Sequence, residues 1–154
     1  EPEPLLSATP RLPGLDNRSM HTSYGNTIYL RDTPQETARK VMSMYTDPTR
    51  IHPTDPGHVE GNPVFDYLDA FDGDRAGVAD LKERYRAGSV GDVEVKRRLA
   101  GVLNEYLSTL RERRAGFIAR PDDLRDILHT GTERLRPLAE ATLEEVQQKM
   151  GLST

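Results

Sequence analysis

The chain has 154 residues, of which 21 are basic and 25 acidic, for a net charge of −4, and 35% are apolar. No apolar run approaches the ~20 residues that span a bilayer, and the absence of cysteine excludes disulfides and every thiolate-based metal or catalytic site. The acidic balance gives no bulk attraction to nucleic acid or anionic lipid, so such binding has to come from a local patch.

The first 32 residues hold Pro2, Pro4, Pro10, Pro13, Gly14 and Gly25 and keep no helical period, which predicts extended loop. Within them Thr27-Ile28-Tyr29-Leu30 fits either a short strand or a packed loop. The chain begins with Glu1-Pro2-Glu3-Pro4, which is no signal peptide, and its lack of an initiating methionine suggests a piece of something longer.

At Thr33 the pattern changes. Thr33-Pro34-Gln35-Glu36 is a capping box with proline at the first helical position. Ala38, Val41, Met42 and Tyr45 then follow on one face, and Asp47-Pro48 is the expected stop. Residues 48–61 form a long loop with Pro48, Pro53, Pro56, Gly57 and Gly61, of the kind that often carries function. Asn62-Pro63 opens a short helix with Val64, Phe65, Leu68 and Phe71, ended by Asp72-Gly73-Asp74. A third helix is predicted over about 76–87, with Val78, Leu81 and Tyr85 inward. The longest begins near Asp92 and carries Val95, Leu99, Val102, Leu103, Tyr106, Leu107 and Leu110, with Gly116 and Pro121 bracketing its end. A further helix follows Pro121, Thr130-Gly131-Thr132 interrupts it, and a last helix carries Leu135, Leu138, Leu143, Val146 and Met150. The expected fold is all-α, a helical bundle preceded by an extended segment.

Few residues suggest chemistry. His52, Asp55 and His58 share one loop but match no metal motif, so they read as solvent-facing and no metal site is predicted. Ser23 near His21 lacks a nucleophile elbow. Asp66, Asp69, Asp72 and Asp74 lack calcium-loop spacing and read as a solvated helix end. Residues 96–136 hold ten basic and six acidic side chains, a local excess of +4 against −8 elsewhere. Such a separation can supply a phosphate-contacting face on an acidic protein.

One segment is more specific. Leu12-Pro13-Gly14-Leu15-Asp16, then Met20 and Ser23-Tyr24-Gly25-Asn26, resembles the signature loop of class I aminoacyl-tRNA synthetases, and more closely that of the bacterial tryptophanyl-tRNA synthetases. There the loop reads Lys-Met-Ser-Lys-Ser. The likeness continues through Met44-Tyr45-Thr46-Asp47-Pro48, Glu60-Gly61-Asn62-Pro63-Val64-Phe65, Gly91-Asp92-Val93-Glu94-Val95-Lys96-Arg97-Arg98-Leu99, and the tail from Ala141-Thr142-Leu143 to Met150-Gly151-Leu152. The resemblance implies a C-terminal portion: residues 1–32 as the end of a missing α/β nucleotide-binding domain with its signature loop, and 33–154 as a helical anticodon-binding domain. It implies a cytoplasmic tryptophan–tRNA ligase as the parent, using ATP with Mg²⁺ and L-tryptophan as substrates and tRNA as partner. The parent is expected to be a homodimer joined mainly through the missing half. The 154 residues alone are expected to be inactive, without bound cofactor, and monomeric.

The loop departs from the family at the charged positions. Aligned on Met20 and Ser23, the two lysines become Ser19 and Thr22, and the middle serine becomes His21. The resemblance implies that the lysines stabilise the ATP phosphates, a duty that serine and threonine cannot carry. Arg18, or a protonated His21, is the candidate replacement; the alternative is that the loop has lost its catalytic role and the domain survives as a helical interaction module. The resemblance also places anticodon contacts near Thr46-Asp47. A carboxylate can accept from the exocyclic amine of cytosine, so Asp47 is the expected base reader. Lys96, Arg97, Arg98 and Arg114 are the expected phosphate contacts.

Overall fold

The computed structural model describes residues 3–6, 9–52 and 54–152; Pro2 and Pro53 of the predicted loops lie outside them. The described residues form five α-helices, α1 Pro34–Met42, α2 Pro63–Phe71, α3 Arg75–Arg86, α4 Asp92–Ile118 and α5 Pro121–Lys149, with one 3₁₀ turn at Thr22–Tyr24. Among them there is no strand, only a single antiparallel bridge between Pro13 and Ser19, so the molecule is all-α. Thr27 to Leu30 is loop, and Ile28 packs partly against the core.

Helix starts follow their local chemistry. The capping box at α1 is complete: the Glu36 amide donates to Thr33 Oγ1 (3.2 Å) and the Thr33 amide donates to Glu36 Oε2 (2.8 Å). Asn62 caps α2 and Asp74 caps α3 through their side-chain oxygens. α1 ends at Met42, well before the expected stop at Asp47. The physical reason is a competing partner: the Tyr45 amide, which would have continued the helix, donates instead to the Leu15 carbonyl at 2.7 Å. The buried face of α1 is therefore Thr37 and Val41, followed by Met44, while Met42 turns outward.

The chain divides into two compact units, Glu1–Arg111 and Glu112–Thr154. In the first, Val41, Phe65, Leu68, Tyr85 and Leu99 are each at most 1% exposed. The Phe65 and Tyr85 rings meet edge-on at 5.0 Å. Gly57 is required there, since a Cβ would fall 2.2 Å from the Tyr85 ring. The Arg50 side chain is buried over that ring, 4.3 Å from its centroid, and pairs with Asp92 at 3.1 Å. Asp72 is also buried and pairs with Arg98 at 2.8 Å, so it is not the solvated helix end expected from sequence.

In the second unit α5 is one continuous helix. The predicted break at Thr130-Gly131-Thr132 does not occur; Thr132 Oγ1 donates back to the Leu128 carbonyl at 2.7 Å and the helix runs through. Pro137 lies inside it. No described residue of α5 is buried, and its apolar side chains, among them Ile127, Leu128, Leu135 and Leu138, are exposed.

Candidate functional site

The loop of residues 12–26 is built around the buried side chain of Asn26. Its Nδ2 donates to Asp16 Oδ1 (2.8 Å) and to the Ser19 carbonyl (3.1 Å), and its Oδ1 accepts from the His21 amide (3.0 Å). The Asn26 carbonyl accepts from the Leu15 amide at 2.8 Å. One asparagine thus closes both arms of the loop. Gly14 is the residue that makes room for it, because a Cβ there would lie 2.4 Å from Asn26 Nδ2. The sharp turn puts Asn17 at φ 64°, a left-handed conformation that asparagine tolerates.

Charge on the loop is distributed unevenly. Arg18 is the exposed candidate cation, but its Nε donates to Asp16 Oδ2 at 2.9 Å, so a carboxylate offsets it locally. Asp16 is held below its usual carboxylate range, chiefly by the Asn26 hydrogen bond, with Arg18 adding to it. Arg11, which the sequence motifs did not single out, places Nη2 2.8 Å from Ser19 Oγ. Its guanidinium therefore stands beside Ser19. Ser19, Met20, His21, Thr22 and Ser23 are all exposed, and His21 Nδ1 lies 3.3 Å from Ser23 Oγ. The loop as a whole offers hydroxyl groups, one guanidinium offset by a carboxylate, and one with no carboxylate partner among the described residues.

The loop is tied to the rest of the first unit by hydrogen bonds and by packing. Besides the Tyr45–Leu15 bond, Asn17 Nδ2 donates to the Gly61 carbonyl and Tyr67 Oη to the Pro13 carbonyl, each at 2.8 Å, while Leu12 and Leu15 pack on the core. The expected base reader belongs to this same neighbourhood. Asp47 is 5% exposed. Its Oδ1 accepts from the amide (2.9 Å) and hydroxyl (2.6 Å) of Thr49, and its Oδ2 from the amide (2.8 Å) and Nδ1 (3.0 Å) of His58. Burial pushes this carboxyl up, but the hydrogen bonds from Thr49 and His58 outweigh it and hold it well below the usual carboxylate range. Asp47 lines a cleft of about 210 Å³ together with Tyr45, Thr49, His58 and Glu60.

Of the expected phosphate contacts, Lys96 is a buried anchor, not a surface cation, at 5% exposure. Its Nζ donates to the Met44 carbonyl (2.6 Å) and Thr46 Oγ1 (2.7 Å), with the Met42 carbonyl at 3.4 Å. It thereby satisfies carbonyls left open where α1 ends, and burial pulls its pKa below the ordinary lysine value. Arg98 is engaged by Asp72 and by Asp74 (3.1 Å). Arg97 and Arg114 are exposed and have no such partner among the described residues. Sequence periodicity could not distinguish these cases, because the partners of Lys96 lie about 50 residues away.

A family model for "tRNA synthetases class I (W and Y)" matches residues 1–108. The chain belongs to that family. It is 48% identical over 153 residues to the tryptophan–tRNA ligase of Treponema pallidum (strain Nichols), covering 99% of this chain and 45% of that protein. To the tryptophan–tRNA ligase of Chlamydia caviae it is 45% identical over 154 residues, with the same coverage of 99% and 45%. The chain thus spans about half the length of these curated relatives. Among solved structures, tryptophanyl-tRNA synthetase from Campylobacter jejuni, complexed with ADP and tryptophan, aligns with a TM-score of 0.75 and 28% identity, over 92% of this chain and 43% of that one. No helix of the described residues is long and apolar enough to cross a membrane.

Proposed function

We propose that the chain is the C-terminal, tRNA-binding part of a cytoplasmic tryptophan–tRNA ligase. The complete enzyme activates tryptophan with ATP and Mg²⁺ and transfers it to tRNA; the 154 residues alone do neither. The carrying observation is identity of 45–48% that runs through the loop and the helices together over 99% of the chain. On this reading residues 1–32 close the nucleotide-binding domain and 33–154 form the anticodon-side helical domain, in a parent that is a homodimer. The loop contributes hydroxyl donors from Ser19, Thr22 and Ser23, and cationic charge from Arg11 and Arg18, toward the triphosphate. Arg97 and Arg114 contact tRNA phosphates, since they are the members of the set predicted from sequence that are exposed and without an ion-pair partner among the described residues.

Tryptophan-dependent ATP–pyrophosphate exchange and tRNA charging by the full-length parent test this reading. Both are expected, and absence of both removes it. A second reading has its own support. With no lysine at Ser19 or Thr22, the loop has exchanged two ammonium groups for hydroxyls. A parent that binds tRNA but neither exchanges nor charges would be a synthetase-like interaction module.

A further inference from the structure

We infer that Asp47 and Lys96 are positioning residues that hold the loop of residues 14–26 in place through the segment 44–61, and that Asp47 does not read a base. The inference rests on the ligase reading above for what the loop does, but its structural content stands on hydrogen bonds alone.

A carboxylate offers about four acceptor sites, and an ammonium three donors. Asp47 spends its acceptors on two amides, a hydroxyl and an imidazole of its own chain. Lys96 spends its donors on Met44, Thr46 and Met42. Both side chains are buried and satisfied, so neither has capacity for an incoming nucleotide without first breaking what it holds.

What they hold leads to the loop. Lys96 grips Met44 and Thr46, the residues on either side of Tyr45, whose amide donates to Leu15. Asp47 grips His58, three residues before Gly61, whose carbonyl accepts from Asn17. Leu15 and Asn17 flank Asp16, which is bonded to Asn26, and Asn26 fixes Ser19 and His21. Two paths of hydrogen bonds joined by short backbone stretches therefore run from α4 and residues 47–58 into the arm that carries the altered signature positions. A reacting loop must be held to a fraction of an ångström, and rigid supporting groups do this.

The test uses the full-length parent with Asp47→Asn, which replaces one acceptor oxygen by a donor of equal size, and Asn17→Gly. The second change severs the path at its far end while keeping a residue suited to the left-handed turn, so it decides the matter if the first variant folds poorly. Three readouts are taken: amide hydrogen exchange over residues 14–26, the kcat and tryptophan KM of pyrophosphate exchange, and tRNA Kd. Expected for both variants is loop exchange faster by about tenfold, a fall in kcat of about tenfold with little change in KM, and an unchanged tRNA Kd. A base reader would behave oppositely: a weaker tRNA Kd for Asp47→Asn with loop protection and kcat intact, which overturns the inference. Unchanged loop protection in both variants overturns it too. A parent without any pyrophosphate exchange would sink the ligase reading, while loop protection would still decide the positioning role.

Discussion

Arg11 and Arg18 present the same guanidinium to the same loop, yet their surroundings differ. Arg18 has Asp16 at 2.9 Å, whereas among the described residues Arg11 meets only the neutral Ser19 hydroxyl at 2.8 Å. A cation already paired with a carboxylate adds little net field at a developing negative charge, so Arg11 is the stronger electrostatic donor. In the full-length parent, Arg11→Ala is expected to slow pyrophosphate exchange by about 10²-fold, and Arg18→Ala by much less. Equal effects, or none, would show that the charge is supplied from elsewhere. Asp47 gives a prediction in pH. Its folded pKa is depressed below the unfolded one, so its contribution to stability is present above the unfolded value and is lost as pH falls through the carboxylate range. The urea midpoint of the native chain should therefore drop in acid more steeply than that of Asp47→Asn. Parallel acid profiles would mean that the Thr49 and His58 bonds do not discriminate between the charged and neutral carboxyl. Neither point was legible in the sequence. A motif names Asp47 and Arg18 as polar and well placed along the chain, but it cannot reveal that His58 and Asp16 already occupy them.

Helices α2, α3 and the first half of α4 were legible because cap, period and burial agree. Asn62 caps where predicted, Asp74 of the predicted break caps α3, and Val95, Leu99 and Leu103 are buried at helical spacing. The stripe ceases to predict burial further along. Tyr106 on α4 is 56% exposed and Leu138 on α5 is 64% exposed, although both belong to equally regular apolar patterns. Periodicity reports what a helix can bury, and only a neighbouring element decides what it does bury. α5 was misread for a related reason: a glycine lowers helix propensity by about 1 kcal/mol, too little to break a helix when no capping conformation competes at Gly131. The contrast between the two helices is measurable. Leu99→Ala, at a residue 0% exposed, should cost about 2–5 kcal/mol. Leu138→Ala should change the denaturation midpoint little. A large effect at Leu138 would mean that the face is covered in solution.

For the molecule as a whole, the basic excess over residues 96–136 is largely taken up by internal partners. Lys96, Arg98 and Arg111 are bound within the first unit, and Arg120 and Arg125 pair with Asp123 and Asp122. That leaves Arg97, Arg113, Arg114, Arg134 and Arg136 for phosphates. On the proposed reading, counterion release at these five gives tRNA binding a log–log salt slope of about −4. A steeper slope would require the paired arginines to open, and indifference to salt would count against phosphate contacts altogether. Sequence could count the charges but not the partners already taken, which is why the all-α fold was legible and the distribution of work among its side chains was not. The exposed row on α5 has a further consequence. A helix of 29 residues is about 44 Å long, and here it carries leucine, isoleucine and valine along one side with carboxylates and guanidinium groups along the other. In colloidal terms that is an amphiphile attached to a well-folded body. The handling of this chain in solution, including its critical concentration for self-association, its adsorption to air–water interfaces and its response to mild detergent, should follow the chemistry of that one helix more than the net charge of the protein.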